Sequence, residues 1–300
     1  MSEQIKILIT GANGQLGNEL QSVLSQGNTD MGPIPKAYEH ASIIATDSDT
    51  LDITDAATTC AFIRDVRPDI IINCAAYTNV DACESDSVLA QALNADAVGN
   101  IAKAASESGS KLVHISTDYV FSGEEEVART ELDSPCPRSV YGKTKLAGEL
   151  QVQAQCKRYF IVRTAWLYGK KGNNFVKTIL RLAQENGNIK VVSDQYGNPT
   201  NANDLVHMLL KLALTEHFGV YNCTGNGICS WFDFASAIVD IANIPCTKTP
   251  CTSAEFPRPA ARPHFSALDN SRLNNTINDK MRDWRVALNS YLKSYPELLL

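Results

Sequence analysis

Tyr141 and Lys145 stand four residues apart in Ser139-Val140-Tyr141-Gly142-Lys143-Thr144-Lys145. On a helix that spacing stacks them on one face, one turn apart. A free phenol titrates at about 10, and a neighbouring ammonium favours the phenolate. The lysine is therefore expected to bring the Tyr141 phenol down toward neutrality. Such a group suits proton transfer to the oxygen of an alcohol or ketone. Thr117, in Ser116-Thr117-Asp118, offers a hydroxyl that can hydrogen-bond the same oxygen or the alkoxide it becomes. On its own a threonine serves equally as a turn or cap residue.

A second constellation lies at the N-terminus. Ile5-Lys6-Ile7-Leu8-Ile9 reads as a buried strand, followed at once by Thr10-Gly11-Ala12-Asn13-Gly14-Gln15-Leu16-Gly17 and then by helical spacing through Leu24. Strand, glycine-rich turn and helix together form the context of a dinucleotide fingerprint. Gly11 permits the tight turn, Gly14 lets a pyrophosphate approach the backbone, and Gly17 lets the helix pack close. The helix N-terminus adds free N–H groups and a partial positive charge. The spacing is Gly-x-x-Gly-x-x-Gly rather than Gly-x-Gly-x-x-Gly. Asp47 closes the next strand, where a carboxylate can accept from the adenosine ribose hydroxyls, although Thr46-Asp47-Ser48-Asp49 is equally a turn sequence. Its charge would repel a 2′-phosphate, so NADH is expected at least to be tolerated. Asp52 could lie beside the adenine.

The elements that must position these groups alternate in the rhythm of a parallel sheet. Strands are expected at Ile43–Thr46, Asp69–Asn73, Leu112–Ser116 and Phe160–Thr164, with a long helix over Asp86–Ser108. Right-handed crossovers then give an α/β, Rossmann-type doubly wound sheet, whose ligands sit beyond the carboxyl ends of the strands. Ser25–Ala41, with two glycines and two prolines, reads as a surface loop with room to move. The dinucleotide-binding domain is expected over residues 1–164. A smaller, partly interleaved substrate lobe is expected over 165–300, with segments near 203–225 returning to the first domain. Helices are expected there at Asn174–Glu185, Asp204–Thr215 and Trp231–Ala242.

Composition bounds the reading. The 300 residues are 44% hydrophobic and 20% charged, with a formal net charge of -6, so no basic stripe is available to neutralise nucleic-acid phosphates. No apolar run approaches the roughly 18 residues of a membrane span and no signal-peptide core is visible, which makes the cytoplasm the expected location. The 9 cysteines lack close pairing, and read as free thiols rather than as a zinc site.

With Gly11-x-x-Gly14-x-x-Gly17, Asn73-Cys74-Ala75-Ala76, Ser116-Thr117-Asp118 and Tyr141-x-x-x-Lys145, the chain resembles the extended short-chain dehydrogenase/reductase family. Further phrases are similar to the dTDP-4-dehydrorhamnose reductases within it. They include Ala76-Tyr77-Thr78-Asn79-Val80-Asp81, Arg163-Thr164-Ala165-Trp166-Leu167-Tyr168, Asp194-Gln195-Tyr196-Gly197-Asn198-Pro199-Thr200 and Arg262-Pro263-x-x-Ser266. The resemblance implies NADPH- or NADH-dependent reduction of the 4-keto group of dTDP-4-dehydro-L-rhamnose. Tyr141 would be the acid, Lys145 would hold the nicotinamide ribose and depress the Tyr141 pKa, and Thr117 would complete the triad. Gly14, Gln15, Leu16, Asp47, Asp52, Ile53, Ala76, Tyr77 and Thr78 would line the cofactor. Thr117, Asp118 and Trp166 would face the sugar nucleotide, and Arg262 its pyrophosphate. Some relatives hold Mg²⁺ at a dimer contact through glutamates; no such glutamates can be placed here, so no metal is expected, while a homodimer is allowed.

Three alternatives share the scaffold. Nucleotide-sugar 4,6-dehydratases follow the threonine with Asp-Glu, whereas Asp118 here precedes Tyr119, so net dehydration is not expected. A reductase for a neighbouring 6-deoxy sugar keeps the chemistry and changes the product. A non-catalytic subunit resembling the methionine adenosyltransferase regulatory subunit would keep the fold without turnover.

Overall fold

The computed structural model describes residues 4–299. Six parallel strands form its central sheet: β1 (Lys6–Thr10), β2 (Ser42–Thr46), β3 (Ile70–Asn73), β4 (Lys111–Thr117), β5 (Tyr159–Thr164) and β6 (Gly219–Asn222), in the order β6-β5-β4-β3-β1-β2. Ile7, Leu8 and Ile9 are fully buried, as are Ile71, Ile72, Leu112, Val113, Phe160, Ile161 and Val162. Parallel strands covered on both faces need such unbroken apolar runs, and β-branched side chains suit the pleat. The chain steps from β1 to β2 on one side and returns to β3 on the other, so the order reverses between β1 and β3. A crevice opens at the carboxyl ends of strands where such a reversal occurs.

Helices α1 (Gln15–Gln26), α2 (Ala56–Val66), α3 (Ala97–Ser108) and α4 (Val140–Gln155) supply the crossovers. Asp55 caps α2 by accepting from Ala57 N and Thr58 N, and Ser139 caps α4 by accepting from Gly142 N. The expected long helix over 86–108 is interrupted. Ser87–Gln91 is helical, Ala92–Asp96 forms a π-helical turn, and α3 resumes at Ala97. Such bulges recur at functional sites, and this one swings Asn94 inward.

A second apolar cluster gathers α5 (Phe175–Asn186), α7 (Trp231–Ile241) and α8 (Trp284–Ser294) around Phe234, Trp284 and Tyr291. Helix α6 (Ala202–Ala213) packs with α1 in the sheet's own core, with Leu205, Leu209 and Leu212 among its buried residues. The 25–41 insertion departs from the loop expected of it. Asn28–Thr29 pairs with Gly32–Pro33, Tyr38 is only 2% exposed, and its hydroxyl donates to Leu210 O at 2.8 Å. Thr29 meets His207 Nδ1 at 2.8 Å. Contacts to α6 pin the segment. The described cysteines are free thiols, and no described helix is long and apolar enough to cross a membrane.

Candidate active site

A cleft of about 300 Å³ opens at the reversal of strand order, lined by Gly11 and Gly14 after β1, Asp47, Asp52 and Ile53 after β2, and Ala75 and Ala76 after β3. Its backbone admits no side chains at two of the fingerprint glycines. Gly11 takes φ 67°, and a Cβ there would lie 2.6 Å from Ala75 N. A Cβ on Gly17 would collide with Gly11 O. Glycine is required at both for different reasons, a left-handed turn and a close helix–turn approach. A Cβ on Gly14 would meet Gly11 O alone, at 3.1 Å, so the other side of Gly14 stays open.

The remaining cofactor candidates are placed differently. Leu16 is 5% exposed and belongs to the core. Gln15 uses its amide to bridge lobes, donating to Leu167 O at 3.1 Å and accepting from Asn174 at 2.9 Å. Asp47 lines the cleft, and its carboxylate makes the turn contact considered for it, accepting from Asp49 N at 3.0 Å. Asp52 accepts from Thr54 N and Oγ1, and those bonds hold its carboxyl below the usual range. The Tyr77 backbone is gripped at both ends, Asn94 Oδ1 accepting from Tyr77 N at 2.8 Å and Asn94 Nδ2 donating to Tyr77 O at 3.1 Å. Thr78, the next residue, is exposed.

Beyond β4 the catalytic candidates converge. Thr117 is 5% exposed and donates to Asp118 Oδ1 at 2.9 Å; its hydroxyl also lies close enough to the Tyr141 side chain to oppose the rise of that phenol. Asp118 is 2% exposed, and its Oδ2 has no protein partner. Burial drives its carboxyl up to about 6, against hydrogen bonds from Ser266 and Thr117. The Tyr119 ring packs edge-on to Tyr141, with centroids 5.5 Å apart. The short helix Val80–Ser85 steadies the start of α4, since Glu84 Oε1 accepts from Val140 N at 2.8 Å.

One expectation is corrected. Lys145 does not depress the Tyr141 phenol: burial raises that phenol, and Thr117 rather than lysine opposes the rise. The lysine side chain runs to β4 and donates to Ile115 O at 2.7 Å. Burial pulls its own pKa down to about 8, against Glu149 and Cys74. Helical spacing placed both residues on one face, but it did not direct the ammonium at the phenol. Glu149, one turn further along α4, accepts from Ser116 Oγ and forms a two-point buried pair with Arg163, at 2.9 and 2.7 Å. That pair fixes the strand end carrying Thr117.

Trp166, just past β5, adopts φ 47°, an uncommon conformation for a large residue. Its indole stacks on Trp231 at 3.5 Å and 7°, and Phe175 packs on Trp231 in turn at 4.4 Å. Gly197 makes room, since a Cβ there would lie 2.6 Å from Trp166 Cε2. Arg262 is engaged by Asp81, which accepts from Arg262 Nη2 at 3.0 Å and from Ala260 N at 3.2 Å. Asn94, Trp231, Asp81, Glu84 and Glu149 were not singled out from the sequence. A polar Asn94 inside an otherwise apolar helical stripe was the one available signal.

Proton-donating chemistry beside a dinucleotide cradle, on a sheet of this order, defines an oxidoreductase of the extended short-chain dehydrogenase/reductase class. The family model described as the RmlD substrate binding domain matches residues 5–296, and the chain belongs to that family. It is 37% identical to the dTDP-4-dehydrorhamnose reductase of Escherichia coli (strain K12), over 96% of this chain and 97% of that protein. The crystal structure of a dTDP-4-dehydrorhamnose reductase from Clostridium acetobutylicum superposes with a TM-score of 0.91 at 46% identity, covering 97% of this chain and 100% of that one. That of the Bacillus anthracis reductase in complex with NADP gives 0.91 at 41% identity, covering 97% and 99%.

Proposed function

We propose that this chain reduces the 4-keto group of dTDP-4-dehydro-L-rhamnose to the alcohol of dTDP-L-rhamnose, using NADPH or NADH. The observation that carries the reading is the approach of Thr117 and Tyr141 at the end of β4, the strand paired with β3, whose end leads into the Ala75–Ala76 wall of the cleft. The relatives at 37–46% identity bear the reductase name, and one was solved with NADP.

The cradle fits a dinucleotide: Gly11 and Gly17 tolerate no Cβ, and Gly14 leaves its backbone open to the cleft. A reduced nicotinamide dinucleotide held there supplies the hydride. The protein's part is the proton and the orientation. Tyr141 gives its phenolic proton to the C4 oxygen as negative charge develops there, and the Thr117 hydroxyl holds that oxygen in line. A phenol kept high by burial is protonated at neutral pH, the form the reduction needs. Lys145 in its ammonium form would hold the nicotinamide ribose beside Tyr141. Asp118 Oδ2, buried without a partner, is an acceptor for a sugar hydroxyl, because an unpaired buried carboxylate oxygen is costly. Trp166 offers an aromatic face to the sugar nucleotide. Gln15, Leu16, Ile53, Ala76, Tyr77 and Thr78 complete the cofactor wall, several through backbone groups. Arg262 reaches the pyrophosphate on exchanging Asp81 for it.

A second carboxyl, as dehydration would need, is replaced by the Tyr119 ring against Tyr141, which favours net reduction. Tyr141→Phe tests the role directly. It removes one hydroxyl, so NADPH binding and thermal stability should persist while kcat falls by about two to four orders of magnitude, the worth of a positioned acid. Turnover above about a tenth of wild type would remove Tyr141 as the donor.

A further inference from the structure

Behind Lys145 a line of buried polar side chains crosses the sheet. Thr10, Asn73 and His114 are register neighbours on β1, β3 and β4. All three, with Lys145, are at most 2% exposed. None of the apolar runs that build these strands requires a histidine or an asparagine at this depth, and buried polar groups are retained only when paired.

The pairing fixes protons. Ala75 N donates to Asn73 Oδ1 at 3.1 Å, and Thr10 Oγ1 donates to the same oxygen at 2.7 Å. A backbone N–H can only donate, so that atom is the amide oxygen. The amide nitrogen, which also can only donate, therefore faces His114 Nδ1, at 3.1 Å. His114 Nδ1 must then offer its lone pair. Burial holds the imidazole well below its ordinary pKa, so it is neutral, and a neutral ring with a bare Nδ1 carries its proton on Nε2. That Nε2 lies 3.5 Å from Lys145 Nζ.

We propose that His114, locked as the Nε2–H tautomer by Asn73, is a positioning residue that donates to Lys145 Nζ and so favours the neutral amine over the ammonium. An ammonium has no lone pair to accept with; an amine has one, and can still donate to Ile115 O. Burial acts on Lys145 in the same direction. The other groups facing the lysine are Glu149, one turn along α4 and itself paired to Arg163 of β5, and the buried Cys74 thiol beyond β3. Glu149 favours the charge; Cys74, held up to about 12 by burial, stays protonated at neutral pH. The balance holds Lys145 at about 8, well below an ordinary ammonium. Reduction should fall as pH rises through about 8, because the ammonium that would hold the nicotinamide ribose is then lost. The Asn73–His114 pair sets where this limb falls. This last step rests on the proposed role of Lys145 as the holder of the nicotinamide ribose.

The test is the ¹⁵N spectrum of the histidine rings in the full-length protein, the His114 signals assigned by their loss in His114→Gln. A protonated Nε2 and a bare Nδ1 are expected at neutral pH. A protonated Nδ1 overturns the proposal whatever the activity data say. Asn73→Asp provides the second arm. Its carboxylate accepts from Nδ1–H, turns the Nε2 lone pair toward Lys145, and should move the alkaline limb of kcat/KM up by about one pH unit or more. A tautomer switched in that variant with the limb unmoved also overturns the proposal. Lys145→Met separates the two layers: if it keeps wild-type kcat, the role given to Lys145 fails, while the tautomer result stands on its own.

Discussion

Trp166 holds a left-handed backbone that costs of order 1–3 kcal/mol, and such strain persists only where neighbours over-determine it. Here they do: Trp231 covers one indole face, and Gly197 admits the ring edge. If the other face receives the sugar nucleotide, bracing it matters more than contacting it. Trp231→Ala should raise KM for the sugar nucleotide by about three- to tenfold, the worth of one aromatic pair, while NADPH affinity holds. Trp231→Phe should restore most of the loss. An unchanged KM in Trp231→Ala would show that Trp166 stands without its brace. Trp166 was legible in the sequence as a substrate-side residue only through a motif. Trp231 was not, because a stack between residues far apart in the chain leaves no local trace. The same holds for the Arg163–Glu149 pair. Tyr141 and Lys145 were legible by spacing, yet spacing said nothing of where the ammonium points.

At the scale of elements, apolar β-branched runs announced β1 to β5 to within about a residue. Strand β6 carries too short an apolar run to announce itself, since it pairs on one side alone and opens with a half-exposed Gly219 and Val220. The π-turn at Ala92–Asp96 was invisible, because periodicity continues through it and the deciding contacts are tertiary. Asn94 grips Tyr77 and also donates to Thr144 on α4 at 3.2 Å. Gly148 lets α4 approach this turn, since a Cβ there would strike Asn94 O. Asn94→Ala would strand the Tyr77 N–H and C=O, at about 1–3 kcal/mol for a buried group left unpaired. Urea denaturation should show that loss, and NADPH binding should weaken with it. Stability within about 0.5 kcal/mol of wild type, the range of an ordinary surface change, would mean the turn does not depend on Asn94.

For the whole molecule the cofactor crevice opens at the strand ends of the central sheet, while Trp166 packs against the second apolar cluster. Most substrate affinity is then expected from the nucleotide, remote from the ketone, and remote contacts can be used to orient the reacting centre. The acidic chain, with a net charge of -6, offers no general attraction to a pyrophosphate, so recognition has to be local, at Arg262 and the aromatic wall. The most direct measurement is nicotinamide absorbance with NADPH and either dTDP-4-dehydro-L-rhamnose, the free 4-keto sugar or a simple ketone, with and without added dTDP. Reduction of the nucleotide sugar should exceed that of the free sugar by orders of magnitude in kcat as well as KM, and dTDP should compete. Equal rates on simple ketones with no inhibition by dTDP would contradict the nucleotide-sugar assignment and leave only a short-chain reductase of another substrate.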